Sequence, residues 1–114
     1  MPLIGIPFSR EMAIAAIETK KVVTTRSEPK GKIGDIFEIW HPGVPKSDAC
    51  TFFATSRFRL IEIMAVDLET VKNLYFRLEG FDSPEAFEKT WRALHRGHFT
   101  TGKLYYVHFF GRIA

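Results

Sequence analysis

The sequence predicts a mixed α+β domain: a curved, mainly antiparallel sheet with about three flanking helices. Three observations point there. A chain of 114 residues with 46% hydrophobic content fits one domain with a single core. Its β-like runs do not alternate regularly with helices, which argues against a parallel sheet of repeated strand-helix-strand units. Eleven phenylalanines must mostly be core, because a small curved sheet has little else to fill it.

In order, Pro2 to Pro7 reads as extended, and Ser9 as the N-cap of a helix from Arg10 to about Thr19, with Glu11 in the favourable first turn. Met12, Ala13, Ala16 and Ile17 share its buried stripe. Ser27 to Lys32, with Pro29 and Gly31, marks an exposed loop before Gly34-Asp35 turns into a strand from Ile36 to Trp40. His41-Pro42-Gly43 and Pro45 break the chain. The β-like run from Cys50 to Val66 exceeds ordinary strand length, so a bend or bulge is expected near Ser56. Alternation puts Phe58, Leu60 and Met64 on one face and Ile61 and Ile63 on the other.

Asp67 is the N-cap of a helix carrying Leu68, Val71, Leu74, Tyr75 and Leu78, which Gly80 ends as a C-terminal glycine. Glu79 is out of place there. A carboxylate in a last turn faces the negative end of the helix dipole, a misfit of about 0.3–1 kcal/mol unless a cation compensates. It therefore calls for a lysine or arginine beside it. Ser83-Pro84-Glu85 starts another helix, with Phe87, Trp91 and Leu94 as core stripe and Gly97 as its end. Lys103 to Phe110 reads as the last strand, Tyr106 and His108 alternating against Tyr105, Val107 and Phe109.

The chain is organised around Thr19-Lys20-Lys21-Val22-Val23-Thr24-Thr25-Arg26, where the first helix runs out into a strand. Strand alternation turns Val22, Thr24 and Arg26 one way and Val23 and Thr25 the other, setting a hydroxyl beside a guanidinium. Lys21 converges with Thr24 only if it is still in the turn. The bland reading of Lys20 and Lys21 is a solvated helix terminus.

This run resembles the G-x-K-x-x-T-x-R signature of ASCH domains, small barrels similar to PUA RNA-binding domains. Lys21, Thr24 and Arg26 match, and Thr19 replaces the glycine. Gly34-Asp35, the Glu79-Gly80-Phe81 turn, the Phe87 and Trp91 helix and the strand Leu104 to Phe110 resemble the family in order and spacing. The resemblance covers essentially residues 1–114 as a single domain and implies a PUA-like barrel. It also implies a chemistry. In N4-acetylcytidine amidohydrolases to which the chain is similar, a lysine, a threonine and a glutamate act as proton acceptor, nucleophile and proton donor, roles that fall here on Lys21, Thr24 and Glu79.

The residue types fit such roles. A threonine hydroxyl attacks only with a base beside it, and lysine serves if burial or a neighbouring cation such as Lys20 or Arg26 lowers its pKa from about 10.4. A carboxylic acid opposite can protonate an amine leaving group. The structural alternative is a Lys21–Glu79 ion pair that closes the barrel. Arg26 is suited to stacking on a base or holding a phosphate, and alternatively to pairing with Asp35. Lys20, Arg57 and Arg59 are further cations for a nucleic acid or base, although Arg57 and Arg59 read more simply as the wet side of the sheet. His41, Tyr105 and Trp40 could offer flat faces to a nucleobase, with core packing the better reading for Trp40 and Trp91.

Net charge of +3 favours polyanionic partners without requiring them. The expectation is a protein that acts on or binds RNA or a modified nucleoside through a basic cleft, with N4-acetylcytidine amidohydrolase as the candidate enzyme. A non-catalytic RNA or modified-base binding module and a ribonuclease are the alternatives. A larger RNA-processing or transcription assembly and the oligomeric state stay open. Lone Cys50 excludes an internal disulfide. No apolar run approaches the roughly 20 residues that span a bilayer, and no basic stretch precedes an apolar one at the N-terminus, so a cytoplasmic protein without membrane contact is expected. His95 and His98 lack a clustered acid, and His41 and His108 are distant in sequence, so neither metal nor cofactor is expected. The absence of G-x-x-x-x-G-K-S/T, G-x-G-x-x-G and G-x-S-x-G leaves nucleotide hydrolysis and serine esterase chemistry without support.

Overall fold

The computed structural model describes residues 3–8, 10–40 and 57–113. In chain order these form β1 (Leu3–Pro7), α1 (Arg10–Ile17), β2 (Val23–Arg26), β3 (Ile36–Trp40), β4 (Arg57–Asp67), α2 (Leu68–Leu74), α3 (Pro84–Leu94) and β5 (Leu104–Arg112). The strands make one five-stranded sheet in the order β1-β3-β4-β5-β2. Only β1 and β3 pair in parallel; the other pairs are antiparallel. The α+β class stands; among the described strands the sheet does not close into a barrel, since edge strands β1 and β2 do not pair with each other. Helix α1 joins those two edges in sequence, and its Ala13, Ala16 and Ile17 pack into the core.

Alanine-rich α1 forms on helix propensity and stops when Thr19 turns into the left-handed region at φ 61°. The amides of Lys20 and Lys21 then both return to the Ala15 carbonyl, at 2.8 and 3.1 Å. Both later helices are capped as the sequence suggests. Asp67 accepts from the Thr70 amide at 3.1 Å, and Ser83 Oγ accepts from the Ala86 amide at 3.1 Å with Pro84 next in line. Helix α2 is shorter than the hydrophobic spacing implies. It ends at Leu74, and turns carry the chain to Gly80, so Leu74 and Leu78 stand exposed rather than in the stripe.

The irregularity in β4 lies at Ile61. Leu60 pairs with Phe110 and Glu62 with Phe109, leaving Ile61 as the extra residue of a bulge. Gly111 on β5 leaves room there: a Cβ on it would meet Ile61 Cδ1 at 3.3 Å. The bulge shifts the alternation by one, so Ile63 packs on the same core as Phe58 and Leu60 while Met64 is exposed. Two cores result. On one face α1 covers Ile6, Phe37, Ile39, Phe58, Leu60 and Phe110; on the other α2 and α3 bring Leu68, Val71, Phe87 and Trp91 onto Val23, Tyr105 and Val107. No helix among the described residues is long and apolar enough to cross a membrane. The expectations for Ser9, His41, Cys50 and a bend near Ser56 lie outside the described residues.

Candidate active site

The turn after α2 docks on the start of β2. The Glu79 amide donates to Tyr75 O and the Gly80 amide to Arg77 O, both at 3.0 Å, while Leu78 O accepts from the amides of Val22 and Val23 at 2.8 and 3.2 Å. Glu79 is thereby set against Lys21 by backbone bonds. Gly80 permits the approach: its φ is 97°, and a Cβ there would sit 3.3 Å from Lys21 Cβ.

Lys21 Nζ donates to Glu79 Oε1 at 2.6 Å and to Glu79 O at 3.1 Å. This is the cation that Glu79 calls for, and both side chains are only 4% exposed. Thr25 Oγ1 donates to the other carboxylate oxygen, Oε2, at 2.5 Å. Burial holds the Lys21 ammonium below its ordinary pKa; Glu79 opposes that shift and Arg26 adds to it. Lys21 precedes β2, in the connection from α1, as convergence requires.

β2 is an edge strand, so both its faces reach the site. Thr24 pairs with His108 and Thr25 with Val107, which puts the two threonines on opposite faces. Thr25 meets Glu79 on the α2–α3 side; Thr24 and Arg26 lie on the α1 side. A cavity of about 530 Å³ wraps this edge and reaches Lys21, Thr24, Thr25, Arg26 and Glu79. Thr24 is 1% exposed, and its hydroxyl has no hydrogen bond to any of the described residues. Phe8 forms one wall beneath two cations, the Arg26 guanidinium 5.3 Å and the Lys21 ammonium 5.9 Å from its ring centre. Phe81, Phe87, Trp91, Leu94 and His95 form another, and Ser27 and Lys30 come from the 27–32 loop.

The other anticipated contacts fall elsewhere. Lys20 is exposed and 3.6 Å from Glu18, outside the cavity. Arg57 and Arg59 project from β4 into solvent, because Phe58 and Leu60 take the core face. Tyr105 is core: its ring meets Trp91 edge-on at 5.4 Å and is covered by Lys103 at 4.9 Å. Leu94 is 60% exposed but walls the cavity. Sequence reasoning did not single out Thr25, Phe8, Lys30 or His95; only the adjacency of Thr25 to Thr24 was a signal. No group of three His, Cys, Asp or Glu among the described residues could hold a metal ion.

No family model matches the chain, and no curated protein matches it in sequence. Solved structures match in shape. A point mutant of the ASCH protein from Zymomonas mobilis superposes with TM-score 0.66 at 20% identity, covering 96% of this chain and 69% of that one. A hypothetical protein gives 0.65 at 13% identity, with 98% of this chain and all of that one covered. A DUF984-family protein from Enterococcus faecalis gives 0.63 at 15%, covering 99% and 82%. The fold is ASCH-like, and the chain spans about two thirds of the Zymomonas protein's length.

Proposed function

We propose that the chain is an amidohydrolase that removes an acyl group from the exocyclic amine of a modified cytidine, free or within RNA, with N4-acetylcytidine as the defining substrate. The observation that carries this reading is the buried Lys21–Glu79 pair at an aromatic-walled cavity that also reaches the buried Thr24 hydroxyl, which has no hydrogen-bond partner among the described residues. Burying a charge pair is costly and contributes little stability compared with apolar packing, so its place at a cavity argues for chemistry. The cavity volume also lies within the range of about 300–1,000 Å³ that small-molecule sites take.

The pair can supply base and acid together. Transfer of the Lys21 proton to Glu79, favoured once a ligand displaces water, leaves a free amine and a protonated carboxyl. Thr24 Oγ attacks the acyl carbon as Lys21 takes its proton. Glu79 then protonates the departing N4 as the C–N bond breaks, releasing cytidine and leaving an ester on Thr24. Water, deprotonated in turn at the same site, cleaves that ester. Thr25 keeps the Glu79 carboxyl oriented through Oε2. Aromatic walls and Arg26 suit a flat heterocycle.

The test is cytidine release from N4-acetylcytidine by wild type, Lys21→Ala, Glu79→Gln, Thr24→Val and Thr25→Val. Wild type is expected to turn over; loss of Lys21 or Glu79 should lower kcat by roughly 10²–10⁴-fold, and Thr24→Val should abolish acyl transfer. Activity retained in Thr24→Val but lost in Thr25→Val would move the nucleophile one residue along. Absence of release with retained binding of the nucleoside would leave a binding module instead, and RNA cleavage lost in Lys21→Ala would replace this reading with a nuclease.

A further inference from the structure

His108 is fully buried, lies beside Thr24 in the β2–β5 register, and has no part in the acyl transfer above. Its hydrogen bonds define its state. The Lys30 backbone N–H donates to Nε2 at 2.8 Å, and an amide cannot accept, so Nε2 is unprotonated. Nδ1 faces two carbonyls, Tyr106 O at 3.0 Å and Thr24 O at 3.2 Å, and must donate. The ring is neutral, with its proton on Nδ1. It thus ties the middle of the 27–32 loop to the strand that carries Thr24, and Ser27 and Lys30 of that loop wall the cavity.

We infer that His108 is a positioning residue for the site: its neutral ring fastens the 27–32 loop over the cavity, and protonation at Nε2 unfastens it, so ligand is lost in acid. A proton on Nε2 would point at the Lys30 N–H, donor against donor, and that bond must break. The charges acting on the ring are both cations, Arg26 on β2 and Lys30 on the loop, while β4 presents Ile63 opposite it. Burial, the largest influence, and these cations hold the ring below its ordinary pKa, against the carbonyls of Tyr106 and Thr24. The fastening therefore persists through neutral pH and fails below the usual histidine range.

The loop's behaviour stands on geometry alone; only its consequence for ligand rests on the cavity being the substrate site. The experiment reads the two separately. Histidine ring nitrogens and the Lys30 amide are followed by NMR in the intact wild-type chain from pH 8 downward, beside His108→Gln, whose amide can donate and accept but does not titrate. The Nδ1–H form is expected, with Lys30 amide protection falling about tenfold, the scale of one net hydrogen bond, at the midpoint of His108 titration. In His108→Gln that protection should hold steady over the same range, and the acid rise in KM for N4-acetylcytidine should flatten. A proton resting on Nε2, or Lys30 protection that ignores His108 titration in wild type, overturns the inference. A wild type without turnover but with this coupling sinks the proposed reaction and leaves the fastening intact.

Discussion

On the α1 face of the sheet Phe8, Phe37, Phe58 and Phe110 pack ring against ring, with centres 5.3–6.4 Å apart. On the α2–α3 face Val23, Phe87 and Trp91 share the interior with a cavity and with Glu79, whose carboxylate is held by Lys21 and Thr25. Phe8 belongs to both settings, stacking on Phe37 on one side and carrying Lys21 and Arg26 on the other. The first region gains stability from every group it buries. The second buries groups that are costly out of water, and keeps them because each holds another.

Substitution distinguishes the two most sharply. Phe58→Ala should cost about 3–5 kcal/mol in urea unfolding, since a wholly buried ring leaves a cavity that close-packed neighbours cannot fill. Lys21→Ala should cost a similar amount, about 3–5 kcal/mol, by stranding the Glu79 charge. The regions part when partners go together. Lys21→Met with Glu79→Leu and Thr25→Val should recover most of that loss, whereas adding Phe110→Ala to Phe58→Ala should deepen it. A triple variant no more stable than Lys21→Ala would show the polar network to be a net stabiliser.

Gly80 comes next in size. Alanine there forces a side chain into positive φ and against Lys21, which should cost about 1–3 kcal/mol. Because the obstruction lies beside Lys21, activity should fall further than stability alone explains, which thermal melting and turnover on one sample would reveal.

How much of this was legible depended on whether a neighbour in sequence or a neighbour in space decided it. The strand Ile36–Trp40 and the Asp67 and Ser83 caps follow from local chemistry and stand as read. The helix-dipole premise for Glu79 does not hold, since α2 ends at Leu74 and Glu79 lies in the turns beyond it; that Lys21 meets the carboxylate rests on backbone bonds between Leu78 O and the amides of Val22 and Val23. The bulge at Ile61 had no local signal, because a glycine on another strand makes room for it. His108 carried no signal and Thr25 only its adjacency to Thr24, since a threonine or histidine in a strand pattern looks the same whether it meets solvent, a carboxylate or a loop amide.

Thr19 is a smaller, local discrepancy. The ASCH signature that this run resembles has glycine at this position, and the chain adopts the left-handed backbone, φ 61°, that glycine accepts freely and a β-branched residue resists. Its hydroxyl only reaches back to Glu18 O at 2.6 Å. Thr19→Gly should therefore stabilise by about 1 kcal/mol, net of the extra freedom that glycine gives the unfolded chain, visible as a raised melting temperature with unchanged kcat. A lower melting temperature would mean that the Thr19 hydroxyl bond outweighs the strain.

The most delicate lever on the site is Arg26. Lys21 and Glu79 share the one proton that the reaction uses, so activity should fall as pH rises through the pKa at which Lys21 gives that proton up to solvent, which burial and then Arg26 hold below the ordinary 10.5. Removing the guanidinium raises that pKa, so Arg26→Gln should move the descending limb of kcat to higher pH. The same proton registers in stability. Between the lowered folded pKa and 10.5 the unfolded chain binds more protons, so resistance to urea should increase with pH across that window and increase less in Arg26→Gln. Both shifts share one titration; a limb that moves while the stability profile does not would assign the activity change to lost substrate contact instead of the lysine.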